Sequence, residues 1–249
     1  MKAIITLVCI LTLTNLCQGL TLPSGFKKCD KTKSDFNPCL STAIQGAIQQ
    51  LKEPQTEYGL PTLDPFVGPD DMIVEYGDET TGLRQKYTSF KFNGLTDVTS
   101  TSASFDFSTK TLHLNITFVE VVVEFDYQIS GWFILYPVNV STTGSCTLIK
   151  PLFKLAFNLE EYEFEKQSHY RVAGGGKLNF FPEAIIFDYK DIFKKGSLTE
   201  EINKGMSENW KIVTAYWQGM FPRLFMDVFE EIFDELLKRV PVPDLFDGL

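Results

Sequence analysis

Side chains that could perform acid–base or nucleophilic chemistry are scarce in this sequence. Two histidines, His113 and His169, occur among its 249 residues. A Ser or Cys nucleophile is usually activated by a neighbouring histidine. We expect both histidines to be solvated, because His113 falls on the polar face of a predicted strand and His169 lies in the charged run EEYEFEKQSHYR. There is no G-x-S-x-G motif, and two distant histidines have no metal-ligand spacing. The sequence therefore disfavours an esterase-type enzyme and a metal site.

Cysteine usage indicates an oxidising compartment. Residues 1–19, MKAIITLVCILTLTNLCQG, have a lysine, an apolar run and a small final residue, which predicts a secretory signal peptide. Its removal would leave three cysteines. Cys29 and Cys39 flank the start of a predicted helix, and in a secreted chain a disulfide between them would stabilise the fold by about 2–4 kcal/mol. Cys146 is then either a small buried hydrophobe or a reactive or intermolecular thiol.

The net charge and the length of the chain limit the classes of molecule that it is expected to bind. The full chain has a formal net charge of −9, which argues against binding to nucleic acid or to anionic membrane surfaces, since both require Lys and Arg. Residues 20–249 contain no linker-like composition and are predicted to form one domain. The sequons that begin at Asn115 and Asn139 predict exposed glycosylation sites in a secreted protein.

The elements that would position any binding site begin with a short helix. Asn37 and Pro38 predict an N-cap and a first helical turn, and apolar residues then recur every three or four positions as far as Leu51. The following stretch, EYGLPTLDPF from Glu57 to Phe66, carries two prolines that exclude a helix or a central strand. We expect it to join the helix to the first strands.

Period-two alternation predicts a long run of strands from Met72 to Phe187. The apolar positions change from even to odd numbers between Phe118 and Val119, which predicts a bulge or a sharp bend. Three consecutive glycines, residues 174–176, lack the Lys-Ser/Thr pair of a phosphate-binding loop and favour a hairpin turn.

The C-terminal part predicts a long helix from Ser197 to Arg239. Ser197 and Glu200 have the spacing of a capping box, and Gly219 with Pro222 predicts a bend rather than an end. The apolar arc of its second half is wide, so this helix should be covered on several sides. The sequence thus predicts an α+β fold, with a strongly curved antiparallel sheet wrapped around a long C-terminal helix in one elongated domain.

Five stretches in the same order resemble the insect takeout and juvenile hormone-binding protein family. They are LPSGFKKCDKTKSDFNPCL, GLPTLDPF, YQISGWFILYPVN, MSENWKIV and VPVPDLF, and together they extend over nearly all of residues 20–249. The resemblance implies a secreted carrier of a small lipophilic molecule, without a cofactor, and it places Cys29 and Cys39 at the family's N-terminal cysteine pair. Cys146 has no partner for the second disulfide of the haemolymph hormone carriers, which favours the takeout-like branch.

If the chain is such a carrier, inward-facing residues of the strands and of the long helix should line an apolar cavity. Tyrosine and tryptophan tips could orient the head of a ligand. The candidate ligand-binding residues are Phe66, Phe118, Val121, Val123, Phe125, Tyr127, Trp132, Ile134, Tyr136, Val213, Trp217 and Met220. For each aromatic residue, a place in the core or at its rim is the alternative. Leu60, Leu63 and Phe66 should pack over the end of the long helix. We expect a monomer without stable membrane insertion; a receptor is possible, but a basic face or an apolar surface patch for lipid or receptor binding is not evident.

Overall fold

A computed structural model describes residues 20–68, 71–76, 82–133, 136–192, 196–216 and 220–248. The predicted signal peptide lies outside these residues. The helices are α1 (Phe36–Gln50), α2 (Gly196–Glu208), α3 (Trp210–Tyr216), α4 (Met220–Arg239) and α5 (Val242–Leu245), with a 3₁₀ turn at Thr56–Tyr58. The strands are β1 (Cys29–Asp30), β2 (Phe66–Val67), β3 (Asp71–Tyr76), β4 (Leu83–Asn93), β5 (Val98–Asp106), β6 (Thr111–Phe118), β7 (Glu120–Phe133), β8 (Tyr136–Ile149), β9 (Leu152–Phe164), β10 (Gln167–Val172), β11 (Lys177–Phe181), β12 (Ala184–Tyr189) and β13 (Phe246–Asp247).

The predicted α+β architecture is confirmed, with two large antiparallel sheets where one curved sheet was expected. One sheet has the order β10-β9-β6-β5, and β11 also pairs with β9. The other has the order β12-β8-β7-β4-β2, and β3 also pairs with β4. The short strands β1 and β13 pair in parallel and join the N-terminal segment to the C-terminal one. Apolar residues of both sheets and of α4 form the core between them.

The bend predicted at Phe118/Val119 is confirmed, and it is the point where the chain passes between sheets. Phe118 is buried at the end of β6, Val119 is 56% exposed, and Val121 is buried in β7. The neighbouring crossing from β8 to β9 lies alongside, since the Lys150 N–H donates to the Val119 carbonyl at 3.1 Å. A strand that changes sheet must turn its other face to the same core, which explains the change in parity.

The long helix predicted from Ser197 to Arg239 is interrupted at Asn209, a break that the sequence pattern did not predict. Asn209 separates α2 from α3. Its side-chain amide donates to the Gly205 carbonyl at 2.8 Å, a local bond with which Asn competes against regular helix geometry. Pro222 lies within α4, two residues after Met220, its first described residue. Gly219 and Trp217 lie outside the described residues, so the bend there stays a prediction, as does the capping bond of Ser197.

The N-terminal helix is present, but it begins earlier than predicted. Asp35, rather than Asn37, occupies the N-cap position, and Pro38 lies in the first turn. The Cys29–Cys39 disulfide is confirmed, with an S–S distance of 2.01 Å. The Ser41 hydroxyl accepts a bond from the Ala103 N–H at 2.8 Å, so α1 covers the free edge of β5.

The proline-rich stretch has the joining role predicted for it. Leu60, Leu63 and Phe66 are buried. The Asp64 carboxylate accepts from the Gly94 N–H at 3.0 Å and from the Thr96 hydroxyl at 3.1 Å. The aspartate thereby fixes this stretch to the turn between β4 and β5, a structural use of a charged residue that periodicity does not reveal.

Two local predictions are wrong. The glycines at 174–176 do not close a hairpin, because β10 and β11 both pair with β9 and follow one another along its edge. His169 is buried at 3% exposure, with Nδ1 3.4 Å from the Leu237 carbonyl oxygen. The charged run around it is a hairpin that turns at Glu165 and Lys166, both at positive φ, and this turn brings β10 beside the end of α4. His113 is exposed, as predicted.

Candidate functional site: apolar cavities along the C-terminal helix

Helix α4 brings aromatic residues from both sheets together, because its apolar arc faces each of them. The Phe225 ring centroid lies 5.4 Å from that of Phe92 in β4 and 4.7 Å from that of Phe153 in β9. Further along the helix, Phe229 also contacts Phe153, and Phe233 contacts Phe157. The cavities described below lie on either side of the Phe225 contacts.

The largest of these cavities lies near the disulfide, between α1, the C-terminal half of α4 and the five-stranded sheet. Its volume is about 710 Å³, including the solvent at its mouth. Its lining is aliphatic and aromatic apart from the Tyr170 hydroxyl and the Lys27 ammonium group. The lining residues are Leu22, Phe26, Lys27, Leu40, Ala43, Ile44, Ala47, Phe105, Leu112, Leu159, Tyr170, Phe233, Leu236, Leu237, Leu245 and Phe246.

A second cavity adjoins the first, and we call the pair the disulfide-end cavities. Its volume, again including the solvent at its mouth, is about 620 Å³. The two share the lining residues Phe26, Ile44, Ala47, Phe233 and Leu236, so they form neighbouring parts of one apolar space. The complete lining of the second cavity is Phe26, Ile44, Ala47, Ile48, Leu51, Leu60, Leu63, Leu95, Phe229, Ile232, Phe233 and Leu236.

A smaller cavity of about 270 Å³, the tyrosine-end cavity, lies toward the other end of α4. It is enclosed mainly by the six-stranded sheet, and its lining residues include two tyrosines and a cysteine. Its lining residues are Met72, Tyr87, Phe90, Val123, Phe125, Cys146, Phe187, Tyr189, Phe221 and Leu224.

Three tyrosine rings form a polar cluster beside the tyrosine-end cavity. The Tyr87 hydroxyl donates to Gln85 Oε1 at 2.7 Å and lies 3.3 Å from the Tyr189 hydroxyl. The Tyr127 ring centroid is 5.1 Å from that of Tyr87 and 4.9 Å from that of Tyr189. Burial raises the pKa of Tyr127 and of Tyr189 well above the usual tyrosine value. The hydroxyls are therefore neutral hydrogen-bonding groups at physiological pH.

Cys146 faces the same cavity and is the free cysteine of the described residues. It is buried, and burial raises the pKa of its thiol well above the usual cysteine value. A neutral, enclosed thiol is a poor nucleophile, because the thiolate is the reactive form. Of the two interpretations left open by the sequence, the structure matches the small buried hydrophobe.

Several residues expected at the ligand site do share the interior. Val121, Val123, Phe125 and Tyr127 are buried along β7, and Val123 and Phe125 line the tyrosine-end cavity. Phe66 and Phe118 are also buried, in ring contact with Phe92 and Phe153 respectively. Val213 is partly buried against the core.

Other expected site residues have a different position. The predicted inward orientation of Trp132 is wrong, because its side chain is 44% exposed near the end of β7. Ile134 and Trp217 lie outside the described residues, and so do the side chains of Tyr136 and Met220. Asn115 and Asn139 are exposed, as a glycan acceptor must be, and their modification stays a prediction.

Sequence reasoning missed the residues that make the cavities distinctive. Tyr87 and Gln85 lie on the same face of β4. A register shift between Thr88 and Lys91 interrupts the alternation, so the inward position of Phe92 does not predict theirs. The positive φ of Ser89 marks this irregularity. Leu22 and the rest of the N-terminal segment lie outside any periodic element, so no pattern identified them as cavity lining. In the described part of the chain, no helix is both long and apolar enough to cross a membrane.

Comparisons with known proteins agree with this architecture. The model of the haemolymph juvenile hormone binding protein family matches residues 4–247. The crystal structure of Takeout 1 from Epiphyas postvittana has a TM-score of 0.72 and 17% sequence identity, over 89% of this chain and 99% of that chain, which shows a shared fold. A lipopolysaccharide binding protein gives a TM-score of 0.35 and 11% identity over 67% of this chain and 37% of its own, too distant to support an argument. No curated protein sequence matches significantly.

Proposed function

The chain belongs to the haemolymph juvenile hormone binding protein family, and we propose that it is a secreted, non-enzymatic carrier of a small lipophilic ligand such as a terpenoid or a fatty acid. The observation that carries this proposal is the pair of disulfide-end cavities, whose walls are almost entirely apolar. Ligand pockets in proteins are lined mainly by apolar side chains with few polar groups. Spaces of this kind favour ligands whose binding is driven by removal of apolar surface from water.

The tyrosine cluster would supply hydrogen bonds to a ligand head that reaches the tyrosine end. A neutral tyrosine hydroxyl can donate a hydrogen bond to an ester, epoxide or carboxyl oxygen. It loses little free energy when it exchanges one hydrogen-bond partner for another. Tyr87 and Tyr189 provide two such groups 3.3 Å apart, and the Tyr127 ring packs against both of them. We therefore assign ligand volume to the disulfide end and polar recognition to the tyrosine end.

An esterase is the alternative, and the histidine positions speak against it. A nucleophile would have to lie beside a histidine and a substrate cavity. Within the described residues, neither His113 nor His169 lines any of the three cavities. His169 is enclosed against the end of α4, and its ring contacts those of Tyr162 and Phe164.

Secretion is part of the proposal. The Cys29–Cys39 disulfide is typical of proteins made in an oxidising compartment, and it supports the predicted signal peptide at residues 1–19. We further propose that the mature protein is a glycosylated monomer. Expression in insect cells followed by mass spectrometry of the medium should find a chain that begins near Leu20 and carries glycans at Asn115 and Asn139. Retention of the full chain inside cells would contradict secretion.

The carrier function can be tested by filling a cavity. Ala47 on α1 lines both disulfide-end cavities, so Ala47→Trp should occupy ligand space and lower the affinity for a fluorescent fatty acid about tenfold or more. Thr42→Trp adds the same ring to an exposed position of the same helix and should bind like the native protein. Organic extracts of native protein should also contain a lipophilic molecule by mass spectrometry. Equal binding by both variants would contradict this site.

A further inference from the structure

The two disulfide-end cavities differ in polarity. Among the residues that line the larger one, Lys27 and Tyr170 have polar side chains, whereas the lining of the adjoining cavity is entirely apolar. Lys27 is exposed, so it lies at the mouth of the larger cavity, and Tyr170 is 4% exposed, so it lies deeper. The two cavities together therefore have the polarity of an amphiphile, with polar groups in one and an apolar space in the other.

The Tyr170 hydroxyl is a free hydrogen-bond donor within the larger cavity. Among the described residues it has no hydrogen-bond partner, although its side chain is buried. Burial and the nearby charge of Glu161 raise the pKa of Tyr170, so the hydroxyl stays protonated and able to donate. Because a buried hydroxyl without a partner costs free energy, an oxygen atom of a ligand in this cavity would be stabilised by accepting from it.

The mouth also provides an unpaired positive charge. Within the described chain, Lys27 is the one charged residue that lines any of the three cavities. It forms no ion pair with a described residue, whereas its neighbour Lys28 pairs with Asp247 at 3.0 Å. The acidic group beside Tyr170, Glu161, is itself paired with the Lys110 ammonium group at 2.7 Å. The Lys27 charge is therefore available to an anionic ligand.

We propose that the larger disulfide-end cavity binds the ionised carboxylate of a fatty acid or a terpenoid acid, with Lys27 as its counter-ion and the Tyr170 hydroxyl as a hydrogen-bond donor. This inference rests on the proposed carrier function and names an acid as the ligand class. The apolar chain of the acid extends past the shared lining residues Ile44 and Phe233 into the adjoining cavity. Lys27 has a flexible four-carbon stem, so its ammonium group can follow the carboxylate.

Under this inference, the charge of a ligand decides its orientation. None of the described residues that line the tyrosine-end cavity is a cation. A carboxylate buried there without a counter-ion would cost far more free energy than an ester or epoxide oxygen. An ionised acid therefore places its head at Lys27, and an uncharged ligand directs its oxygen toward the tyrosine cluster.

The test compares dodecanoic acid with its methyl ester, which has the same chain and no charge. Each ligand displaces the uncharged probe N-phenyl-1-naphthylamine at pH 8, where the free acid is ionised. Each variant is compared with native protein for the same ligand, because the ester is the more apolar molecule. Lys27→Met should weaken binding of the acid about threefold or more and change binding of the ester less than about twofold. Lys27→Glu should weaken binding of the acid further.

Two further variants serve as controls. Lys91→Met removes an exposed lysine that has no ion pair with a described residue and lines none of the three cavities, so both ligands should bind as they do to native protein. Tyr170→Phe should weaken binding of the acid about twofold or more and leave binding of the ester unchanged. It should not lower the stability to urea, because the hydroxyl that it removes has no partner in the free protein.

The outcomes separate this inference from the carrier function. If Lys27→Met and Lys27→Glu leave binding of the acid unchanged, or weaken acid and ester equally, the carboxylate does not bind at Lys27 and the carrier function stands. An equal loss of acid binding in Lys91→Met would assign the effect to net charge and would also overturn the site. If the probe binds but neither ligand displaces it from native protein, the carboxylate site is overturned. If the probe does not bind either, the carrier function is overturned as well.

Discussion

The disulfide end and the tyrosine end of the interior are formed by different secondary-structure elements and differ in the polarity of their side chains. At the disulfide end, a short helix, the N-terminal segment and the strand pair β1–β13 enclose wide apolar cavities. At the tyrosine end, the long strands β4, β7 and β8 enclose a small cavity with buried hydroxyls. Most of the apolar volume and most of the buried hydroxyls are thus separated in space, and under the proposed carrier function the orientation of a ligand depends on which end accepts its polar group.

The difference also concerns how each end is stabilised. Strands β7 and β8 pair in register from Glu120 to Phe133, so the tyrosine end is held by a long ladder of backbone hydrogen bonds. The disulfide end rests on the five-stranded sheet, but its N-terminal segment is paired with the C-terminal one only through the two-residue strands β1 and β13. A covalent bond between Cys29 and Cys39 also ties β1 to α1, which restricts the unfolded chain.

The largest expected effect is therefore loss of the disulfide. Replacing Cys29 and Cys39 together by Ala should lower the free energy of unfolding by about 2–4 kcal/mol, measured by urea unfolding. Because α1 forms a wall of the disulfide-end cavities, binding of fluorescent fatty acid should weaken before the protein unfolds. Cys146→Ala is the control for removing a cysteine from the other end. A double variant with native stability and binding would show that the disulfide end does not depend on its covalent tie.

Alkaline pH should affect the tyrosine end next. Burial raises the pKa of Tyr189 and of Tyr127, so the folded state retains protons that an unfolded tyrosine loses near pH 10. Their contribution to stability is complete below that pH and is lost as the pH rises further, by up to about 1.4 kcal/mol per pH unit for each group. Tyr189→Phe should accordingly reduce the slope of unfolding free energy against pH above about pH 10.

The control for this slope is Tyr162→Phe, which removes a hydroxyl from a partly exposed ring. Urea unfolding curves at several pH values between neutral and strongly alkaline give the slopes directly. Identical slopes for native protein and Tyr189→Phe would mean that the tyrosine hydroxyls are more accessible to solvent than their burial indicates.

Much of the architecture was predictable because strands and amphipathic helices produce periodic patterns of apolar residues in the sequence. The change of parity at Phe118/Val119 located the passage between sheets, since one core must receive both faces. Periodicity fails where a single residue breaks the pattern. The register shift near Ser89 concealed Tyr87, and the turn at Glu165 and Lys166 placed His169 in the interior despite its charged neighbours.

The candidate site was less predictable than the fold for a related reason. Alternation shows which face of a strand is apolar. It does not show whether a particular residue on that face packs in the core, borders a cavity or lies at an exposed end of the strand. Trp132 has the ring of a cavity residue, yet its even-numbered position falls on the outward face of β7, whose odd-numbered positions from Val121 to Ile129 are buried, and 44% of it is exposed. Cavities arise from gaps between elements, and Ile44 and Leu63 border such a gap while looking like ordinary core residues.

A conservative substitution decides which end orients the ligand. Tyr127→Phe keeps the ring and removes the hydroxyl, and loss of one hydrogen bond to a ligand head should weaken binding by about 0.5–1.5 kcal/mol, up to about tenfold. Tyr170→Phe is the matched change at the disulfide end, where Tyr170 lines the largest cavity. Isothermal titration with one uncharged ligand should find weaker binding for Tyr127→Phe alone. The reverse result would place the ligand head at the disulfide end.

The smallest expected effect concerns the backbone of α1, and it separates the stability of the disulfide end from its binding. Gly46 lies in the middle of this helix, and a Cβ added there would meet no heavy atom within 4 Å. Gly46→Ala should therefore stabilise the protein by about 0.5–1 kcal/mol, because alanine loses less backbone entropy on folding. Gly46 lines none of the three cavities, so ligand affinity should not change.

Gly176→Ala is the opposite case and completes the test. There the added Cβ would collide with Met226 Cε on α4 and lie 3.2 Å from the Ala156 carbonyl oxygen, so stability should fall. Urea unfolding measures both variants, and fatty-acid titration measures Gly46→Ala. If Gly46→Ala stabilises the protein and also alters affinity, α1 must adjust its position when ligand binds, and the disulfide end would be a moving wall rather than a fixed one. If it stabilises without altering affinity, the cavity wall at α1 is already in its binding conformation in the free protein.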